Sequence, residues 1–231
     1  MLTTSLNLNT LAAVSLAASA EQTCFYLCGV MVECRPRAVT YVATNGQIAL
    51  IAHHTLGKDE AANTLIGDFI LPTDICRAFK LHKTPRPSEI LATLSAETPA
   101  SASMTLTRDN DGRHFQLIDG TFPDWRRVVP ACGTSFKPLS AETFAQEQHG
   151  AAPQFNPECQ AIIGKFSVKM GGDQFPHIHY GDAGSPAPVV FSSGAGECFG
   201  VIMPVRALAD PWRIPSWAHV KPVAVEENAA A

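Results

Sequence analysis

Residues 120–130 read Gly-Thr-Phe-Pro-Asp-Trp-Arg-Arg-Val-Val-Pro, and the composition of the chain changes after them. Pro123 and Pro130 each fix φ and remove a backbone donor, so we expect neither a regular helix nor a central strand here. The aromatic and valine side chains favour burial, whereas Arg126 and Arg127 favour water or anions. The stretch is therefore either a packed connector between two domains or a connector that also forms one wall of a binding groove.

The composition is that of a compact globular protein. The chain has 231 residues, of which 46% are hydrophobic and 16% are charged, enough for one large or two modest domains. The net charge is −4. Contact with a nucleic acid would therefore need a local basic face or encirclement, because the bulk charge is unfavourable.

No cofactor is expected, since the sequence contains neither a P-loop nor a dinucleotide-binding glycine pattern. The seven cysteines are scattered and form no CxxC pair, which predicts reduced thiols in a cytoplasmic protein. Residues 11–20 imitate a signal peptide, but no basic residue precedes Arg35, so we favour a first helix at this position. No stretch reaches the length of a membrane span.

A β-α-β-β-β pattern repeats along the chain. Asn45-Gly46 and Asp109–Gly112 are the strongest turn signals, and Pro157 follows a capping Asn156. We name each copy a half-module. The first has strands at 2–8, 23–33, 37–44 and 47–54 and a helix at 11–19 capped by Asn9 or Thr10. The second has strands at 65–71, 89–95, 103–108 and 114–119 and a helix to 81 capped by Thr73. The third has a helix at 157–166 and strands at 173–180, 188–193 and 198–204. Residues 131–154 are too few for a fourth copy but have room for one helix at 140–149.

Three motifs resemble one family. Residues 26–33 and 42–46 read Tyr-Leu-Cys-Gly-Val-Met-Val-Glu and Val-Ala-Thr-Asn-Gly, like the start of the middle domain of the bacterial DNA polymerase III β subunit, the sliding clamp. Residues 122–130 resemble its linker to the C-terminal domain, and residues 201–206, Val-Ile-Met-Pro-Val-Arg, resemble its C-terminal strand. The resemblance covers about residues 1–130 and 150–208. No part of the sequence resembles the family's N-terminal domain. Residues 131–154 stand where the family has the first half of its C-terminal domain. Gln47-Ile48-Ala49 stands where the family usually has His-Arg-Leu.

The resemblance implies an α+β DNA-clamp fold, with antiparallel sheets outside and helices inside. It implies a clamp domain at 1–130, a shortened C-terminal domain at 131–208 and a tail at 209–231. The implied protein is non-catalytic, so no catalytic residue and no metal ligand is expected. It would encircle double-stranded DNA without reading sequence, and would tether a polymerase and clamp-loader-type proteins through short peptide motifs.

The resemblance also implies a partner-peptide groove between the two domains. An apolar slot would hold hydrophobic anchors of a short peptide, while threonine and arginine would orient it. The alternative is that these residues simply pack the core and the linker. The implied groove residues are Leu27, Thr44, Gly46, Gln47, Ile48, Pro123, Arg127, Val128, Asn156, Val201, Met203, Pro204, Val205 and Arg206.

Five cations would face the DNA from helices that line a ring, contacting phosphates rather than bases. The alternative is an ordinary solvated surface. Rings of the family hold six domains, or twelve half-modules, so three half-modules per chain favour a homotetramer over a trimer or dimer. The five cations are Arg77, Lys80, Lys83, Lys165 and Lys169.

Two other functions stay open at this point. The chain could be a non-ring interaction module or decoy that binds clamp-motif peptides without encircling DNA. A secreted or metal-dependent enzyme, built around the alanine-rich run at 11–20 and the pair His177 and His179, is a weaker alternative, because no third metal ligand is evident beside this pair.

Overall fold

The computed structural model describes residues 1–58, 61–79, 90–129, 154–172, 176–178, 185–191 and 197–205. Within these ranges the helices are α1 (Leu8–Val14), α2 (Asp74–Ala78) and α3 (Pro157–Lys169). The strands are β1 (Leu2–Asn7), β2 (Gly29–Arg35), β3 (Ala38–Thr44), β4 (Ile48–Thr55), β5 (Gly67–Pro72), β6 (Leu91–Ala96), β7 (Ser103–Arg108), β8 (Asp111–Gln116), β9 (His177–Ile178), β10 (Ala187–Val190) and β11 (Glu197–Ile202).

Some expectations fall on residues that the structure does not describe. They are the helix at 140–149, the tail at 209–231, and the side chains of Lys80, Lys83, His179 and Arg206. None of the helices in the described ranges has the length and apolarity that crossing a membrane requires.

The first two half-modules exchange their first strands. β1 joins the second half-module in a four-stranded sheet of order β1-β6-β7-β8. β5 joins the first half-module beside β2, at the edge of a larger sheet that continues through β3 and β4. Both exchanged strands pair antiparallel with their new neighbours. The exchange joins the first two half-modules, because each sheet contains strands of both.

The third half-module extends the larger sheet. β11 pairs antiparallel with β4 and places Ile202 opposite Ile48 and Glu197 opposite His53. The sheet therefore has seven strands, in the order β5-β2-β3-β4-β11-β10-β9. The repeat predicted from the sequence is confirmed, and the third copy continues the sheet of the first.

The main core lies between the sheets and the helices. α1 contains no charged residue, and almost all of its side chains are buried among the strands and α3. Alternate residues of the central strands point into this core, including Tyr41, whose hydroxyl accepts a hydrogen bond of 2.8 Å from the backbone N–H of Asn7. Gly29 allows close packing at the start of β2, because a Cβ there would lie 2.7 Å from the carbonyl oxygen of Leu71.

Two expectations near the N-terminus are wrong. The first helix begins at Leu8, because Asn7 is its N-cap: the Asn7 side-chain oxygen accepts hydrogen bonds from the N–H groups of Asn9 and Thr10, at 3.0 and 3.1 Å. The strand expected at 23–33 begins only at Gly29, which is the first residue with a partner across the sheet. Gln22–Leu27 before it forms 3₁₀ turns.

The turn between β7 and β8 is tighter than the sequence indicates. Asp109 and Asn110 adopt φ angles of +48° and +68°, so two residues suffice to reverse the chain. Asp and Asn tolerate this left-handed conformation better than most residues do. Asp111 and Gly112, expected in the turn, are therefore part of β8, which begins three residues earlier than predicted. The helix after Thr73 ends at Ala78 and lacks a side-chain cap.

Candidate partner-binding groove

The joint between the first and third half-modules brings several predicted groove residues together. The N–H of Met203 donates a hydrogen bond of 2.8 Å to the carbonyl of Gln47, just beyond the end of the β4–β11 ladder. The N–H of Val205 donates to the carbonyl of Gln154, also at 2.8 Å. The segment after β11 is thus held between the β3–β4 hairpin and the residues that precede α3.

A polar contact closes this joint on the side of α3. The Asn156 side chain donates a hydrogen bond of 2.9 Å to the side-chain oxygen of Gln47, and the thiol of Cys159 lies 3.6 Å from the same oxygen. Asn156 also caps α3, because its own side-chain oxygen accepts from the N–H of Glu158 at 2.9 Å. Gln47 and Asn156 are therefore adjacent, as a shared groove requires, but their amides already bind each other.

The β3–β4 hairpin at this joint is internally fixed. The side-chain oxygen of Asn45 accepts hydrogen bonds from the N–H groups of Gln47 and Ile48, both at 3.0 Å. The hydroxyl of Thr44 donates to the carbonyl of Ile48 at 2.7 Å and accepts from the N–H of Gly46 at 3.1 Å. Gly46 has a φ of +87°, which an L-residue adopts only with strain.

The connector, residues 120–129, packs on the outer face of the seven-stranded sheet. Phe122 and Trp125 join a small apolar cluster on that face, and the ring centroids of Trp125 and Phe199 are 6.2 Å apart. Phe199 lies on β11, so the connector spans strands of two half-modules. The other members of this cluster are Met31, Val42, Ala49 and Ile51.

A buried carboxylate anchors the connector. Arg126 donates to both carboxylate oxygens of Glu33, at 2.8 and 2.6 Å, and the indole N–H of Trp125 donates to one of them at 3.1 Å. The guanidinium of Arg126 also stacks 4.3 Å from the centroid of the Trp125 ring. Glu33 is only 4% exposed. We name these three residues the Glu33 cluster.

The Glu33 cluster keeps its carboxylate ionised. Burial acts to raise the pKa of Glu33, but the hydrogen bonds from Arg126 and Trp125 and the charges of Arg126 and Arg35 outweigh it. The pKa of Glu33 is therefore lower than its ordinary value. Arg126 therefore binds an anion, as the sequence predicts, and that anion is a carboxylate of the same chain.

Other residues of the connector are exposed. Arg127 makes no side-chain hydrogen bond or ion pair with any residue that the structure describes. Val128 is 42% exposed, and Val205, beyond β11, is 43% exposed. Pro123 is exposed as well. These side chains are thus accessible on the surface of the described part of the chain.

Three predicted groove residues are less accessible than a peptide would need. The side chain of Ile48 is 1% exposed and packs in the main core. Val201 on β11 and Leu27 before β2 are also buried. Gly120 brings the connector close to the segment that ends at Leu27, since a Cβ at Gly120 would lie 3.0 Å from that of Tyr26.

Comparisons with known proteins agree on the architecture. No protein-family model and no curated protein sequence matches the chain significantly. Among solved structures, the DNA polymerase III β subunit of Thermotoga maritima matches with a TM-score of 0.60 and 16% identity, over 90% of this chain and 66% of that chain. The DNA polymerase III β chain of Streptococcus pneumoniae matches with a TM-score of 0.63 and 17% identity, over 90% of this chain and 65% of that chain. The sliding clamp of Bartonella birtlesii, solved bound to griselimycin, matches with a TM-score of 0.62 and 16% identity, over 89% of this chain and 66% of that chain.

This chain has the DNA sliding-clamp fold. The predicted α+β class with antiparallel sheets and the structural resemblance to the β subunit are both confirmed. The chain spans about two thirds of the length of the solved clamps that it matches.

Of the five cations expected to face DNA, three have described side chains, and these lie on α2 and α3. Arg77 on α2 is largely exposed, but Asp74 lies 3.4 Å from it and offsets its charge. Lys165 and Lys169 lie on α3, where Lys165 is exposed and Lys169 is half-buried. Burial raises the pKa of the Cys76 thiol on α2, and the nearby charge of Lys169 partly opposes this effect. Lys169 is therefore close enough to α2 for its charge to act on Cys76.

Sequence reasoning missed the Glu33 cluster. The available signal was a single carboxylate within the apolar run of β2, since a buried charge needs a partner. That partner lies 93 residues away, and local patterns do not reveal such a pairing. Among the described residues, no group of three or more His, Cys, Asp or Glu is placed to hold a metal ion.

Proposed function

We propose that this chain is a non-catalytic, clamp-like processivity factor that tethers a polymerase or a related partner to duplex DNA. The observation that carries the proposal is the joint between β4, β11 and the connector. β4 pairs with β11, and the connector packs against both strands. Three exposed residues, Arg127, Val128 and Val205, lie in or next to these elements in the chain.

The proposed groove runs between the connector and the segment after β11. Val128, Met203 and Val205 would receive hydrophobic anchors of a short peptide, and Arg127 would bind its backbone or an acidic group. Met203 suits varied anchors because its side chain is flexible and polarisable. The remaining predicted residues would support these walls, with Gln47 and Asn156 holding the hairpin against α3.

Fluorescence anisotropy tests the groove. The probe is a fluorescein-labelled peptide that carries the short hydrophobic motif of bacterial clamp-binding proteins. We expect saturable binding, weakened at least about tenfold in the double variant Arg127→Ala/Val128→Ala. Val168→Ala, which removes an equally exposed valine from α3, is the matched control and should bind normally. Equal affinity of the double variant and the native chain would show that the connector only packs the structure.

We further propose that the chain assembles into a ring. Four copies would supply the twelve half-modules of a clamp ring, with Arg77, Lys165 and Lys169 directed at DNA phosphates. Sedimentation should then give about four times the chain mass of 24.7 kDa. On a nicked circular plasmid, the ring should be retained and then lost after the plasmid is linearised. A stable monomer at all concentrations would exclude the ring.

An open peptide-binding module is the second candidate, favoured by the weak positive charge of the described helices. The Arg77–Asp74 pair and the net charge of −4 both reduce attraction to DNA. Such a module would act as a decoy or regulator of clamp-binding proteins. Binding of the labelled peptide without retention on circular DNA would select this candidate over the ring.

A further inference from the structure

Among the described residues, β8 lies at one edge of the four-stranded sheet. Of the strands at sheet edges, β1 receives hydrogen bonds at Thr3 from the N–H groups of Thr64 and Leu65, and β5 receives one at Ile70 from Ile118. β9 is only two residues long in the described part of the chain. β8 has six residues, and no described strand pairs with its outer side. An exposed edge of this length is a template for another strand.

The internal repeat shows which strand fits such an edge. β4 and β11 are the last strands of the first and third half-modules, and they pair with each other antiparallel along six residues. β8 is the last strand of the second half-module and is equivalent to both of them. Since β4 and β11 occupy each other, the equivalent partner for β8 is the β8 of a second copy.

The alternation of the ladder defines the groups that would pair. The two-residue turn makes Arg108 and Asp111 the closing pair of the β7–β8 hairpin, with both their N–H and C=O groups directed at each other. Because the ladder alternates, the backbone N–H and C=O groups that point to the outer side of β8 are those of Gly112, His114 and Gln116. Centring two antiparallel β8 strands on His114 pairs Gly112 with Gln116 of the second copy and uses all three residues.

The arginine of β8 is occupied by contacts within its own chain. Arg113 is turned back beneath the strand, where it donates to the carbonyl of Ala78 at 2.7 Å and lies 5.1 Å from the centroid of the Phe79 ring. It also binds the carboxylate of Asp111 at 2.9 Å. Edges that resist association typically carry lysine or other charged side chains, proline, or inward-pointing charges. β8 has no lysine and no proline, and its arginine is paired.

We propose that β8 is a self-association strand, which pairs antiparallel with β8 of a second copy about a twofold axis at His114. The result is a continuous eight-stranded sheet across two copies. The pairing refines the assembly part of the proposed function and involves neither the peptide groove nor the DNA-facing helices. Because five residues overlap at most, we expect dissociation in about the micromolar range.

Sedimentation velocity of the full chain, over a range of micromolar concentrations, tests the pairing. We expect reversible association to a dimer or to an even-numbered higher assembly. His114→Pro removes the N–H on the free side of β8 together with the imidazole, whose Nδ1 lies 3.3 Å from the Thr105 hydroxyl, but keeps the Arg113 and Phe115 N–H groups that face β7. His114→Lys places two like charges at the twofold axis. Both should weaken association at least about tenfold. Thr93→Lys, on the same face but on β6 away from the edge, is the matched control and should associate normally.

Amide hydrogen exchange supplies a readout that does not depend on these variants. Association should slow exchange at His114 and Gln116, whereas Arg113 and Phe115, already bonded to β7, should change little. A monomeric native chain, undiminished association of both His114 variants, or unchanged exchange at His114 in the associated state would each overturn the pairing. None of these results depends on peptide binding, so failure of the groove proposal is read out separately.

Discussion

Replacing Arg126 with alanine should separate a structural arginine from its binding neighbour. Arg126 anchors the connector to Glu33, whereas the side chain of Arg127 binds none of the described residues. The variant leaves a carboxylate that is 4% exposed with only the hydrogen bond from Trp125. We therefore expect Arg126→Ala to reduce the free energy of unfolding and Arg127→Ala to leave it nearly unchanged.

The geometry of the Glu33 cluster sets the magnitude. Removing one member of a fully buried ion pair costs about 3–5 kcal/mol. The Arg126 side chain is 58% exposed, so water screens the pair and reaches the carboxylate once the arginine is gone. The cost should therefore fall to about 2 kcal/mol, including the loss of stacking on Trp125. The Arg127→Ala control should cost about 0.5 kcal/mol or less.

The cost should also depend on pH. The pKa of Glu33 in the folded state lies below its unfolded value of about 4.3. The ionised pair consequently stabilises the fold above that pH, and this contribution is lost as the pH falls through the folded pKa. The difference between Arg126→Ala and the native chain should be complete near neutral pH and should shrink below about pH 4.

Urea denaturation, followed by Trp fluorescence at neutral and acidic pH, measures both effects. A double-mutant cycle with Glu33→Gln isolates the pair, because Arg126→Ala should cost much less once Glu33 is uncharged. The reasoning is refuted if Arg126→Ala is as harmless as Arg127→Ala at neutral pH, or if its cost is the same in the Glu33→Gln background.

Two other substitutions test the packing of the fold and of the groove. Gly29→Ala should lower the free energy of unfolding in urea by about 2 kcal/mol or more, because the added methyl group would lie 2.7 Å from a backbone carbonyl that cannot move aside. Gly112→Ala is the milder control, because the nearest side-chain atom there is 3.3 Å away. Asn156→Ala should cost about 1 kcal/mol through loss of the α3 cap, and Asn156→Asp, which keeps the capping oxygen, should recover most of that stability. Equal stability of the two Asn156 variants would contradict the capping role.

Local features of the fold were predictable from the sequence. Asn45-Gly46 marked the β3–β4 hairpin, and Asn156-Pro157 marked the start of α3, because both depend on the backbone preferences of those residues. The position of the first cap was not predictable in this way. Asn7, Asn9 and Thr10 are all suitable caps, and only the end of β1 selects Asn7.

Long-range features were not predictable from local patterns. The exchange of β1 and β5 and the pairing of β4 with β11 join strands far apart in the chain, and alternation alone does not specify a partner. The same holds for the Glu33 cluster. Ile48 matches a groove position of the family by motif but does not line a surface, because the alternation of β4 turns its side chain into the core.

Chemical-shift mapping locates the peptide groove on the chain residue by residue. ¹⁵N-labelled protein is titrated with the unlabelled clamp-motif peptide, and backbone amide shifts are followed residue by residue. We expect the amide signals of Val128, Met203 and Val205 to shift together and to saturate at one Kd, while those of Val168 on α3 and His114 on β8 do not move. Shifts concentrated on α3 or β8, or no saturable shift at the connector and the segment after β11, would contradict the proposed groove.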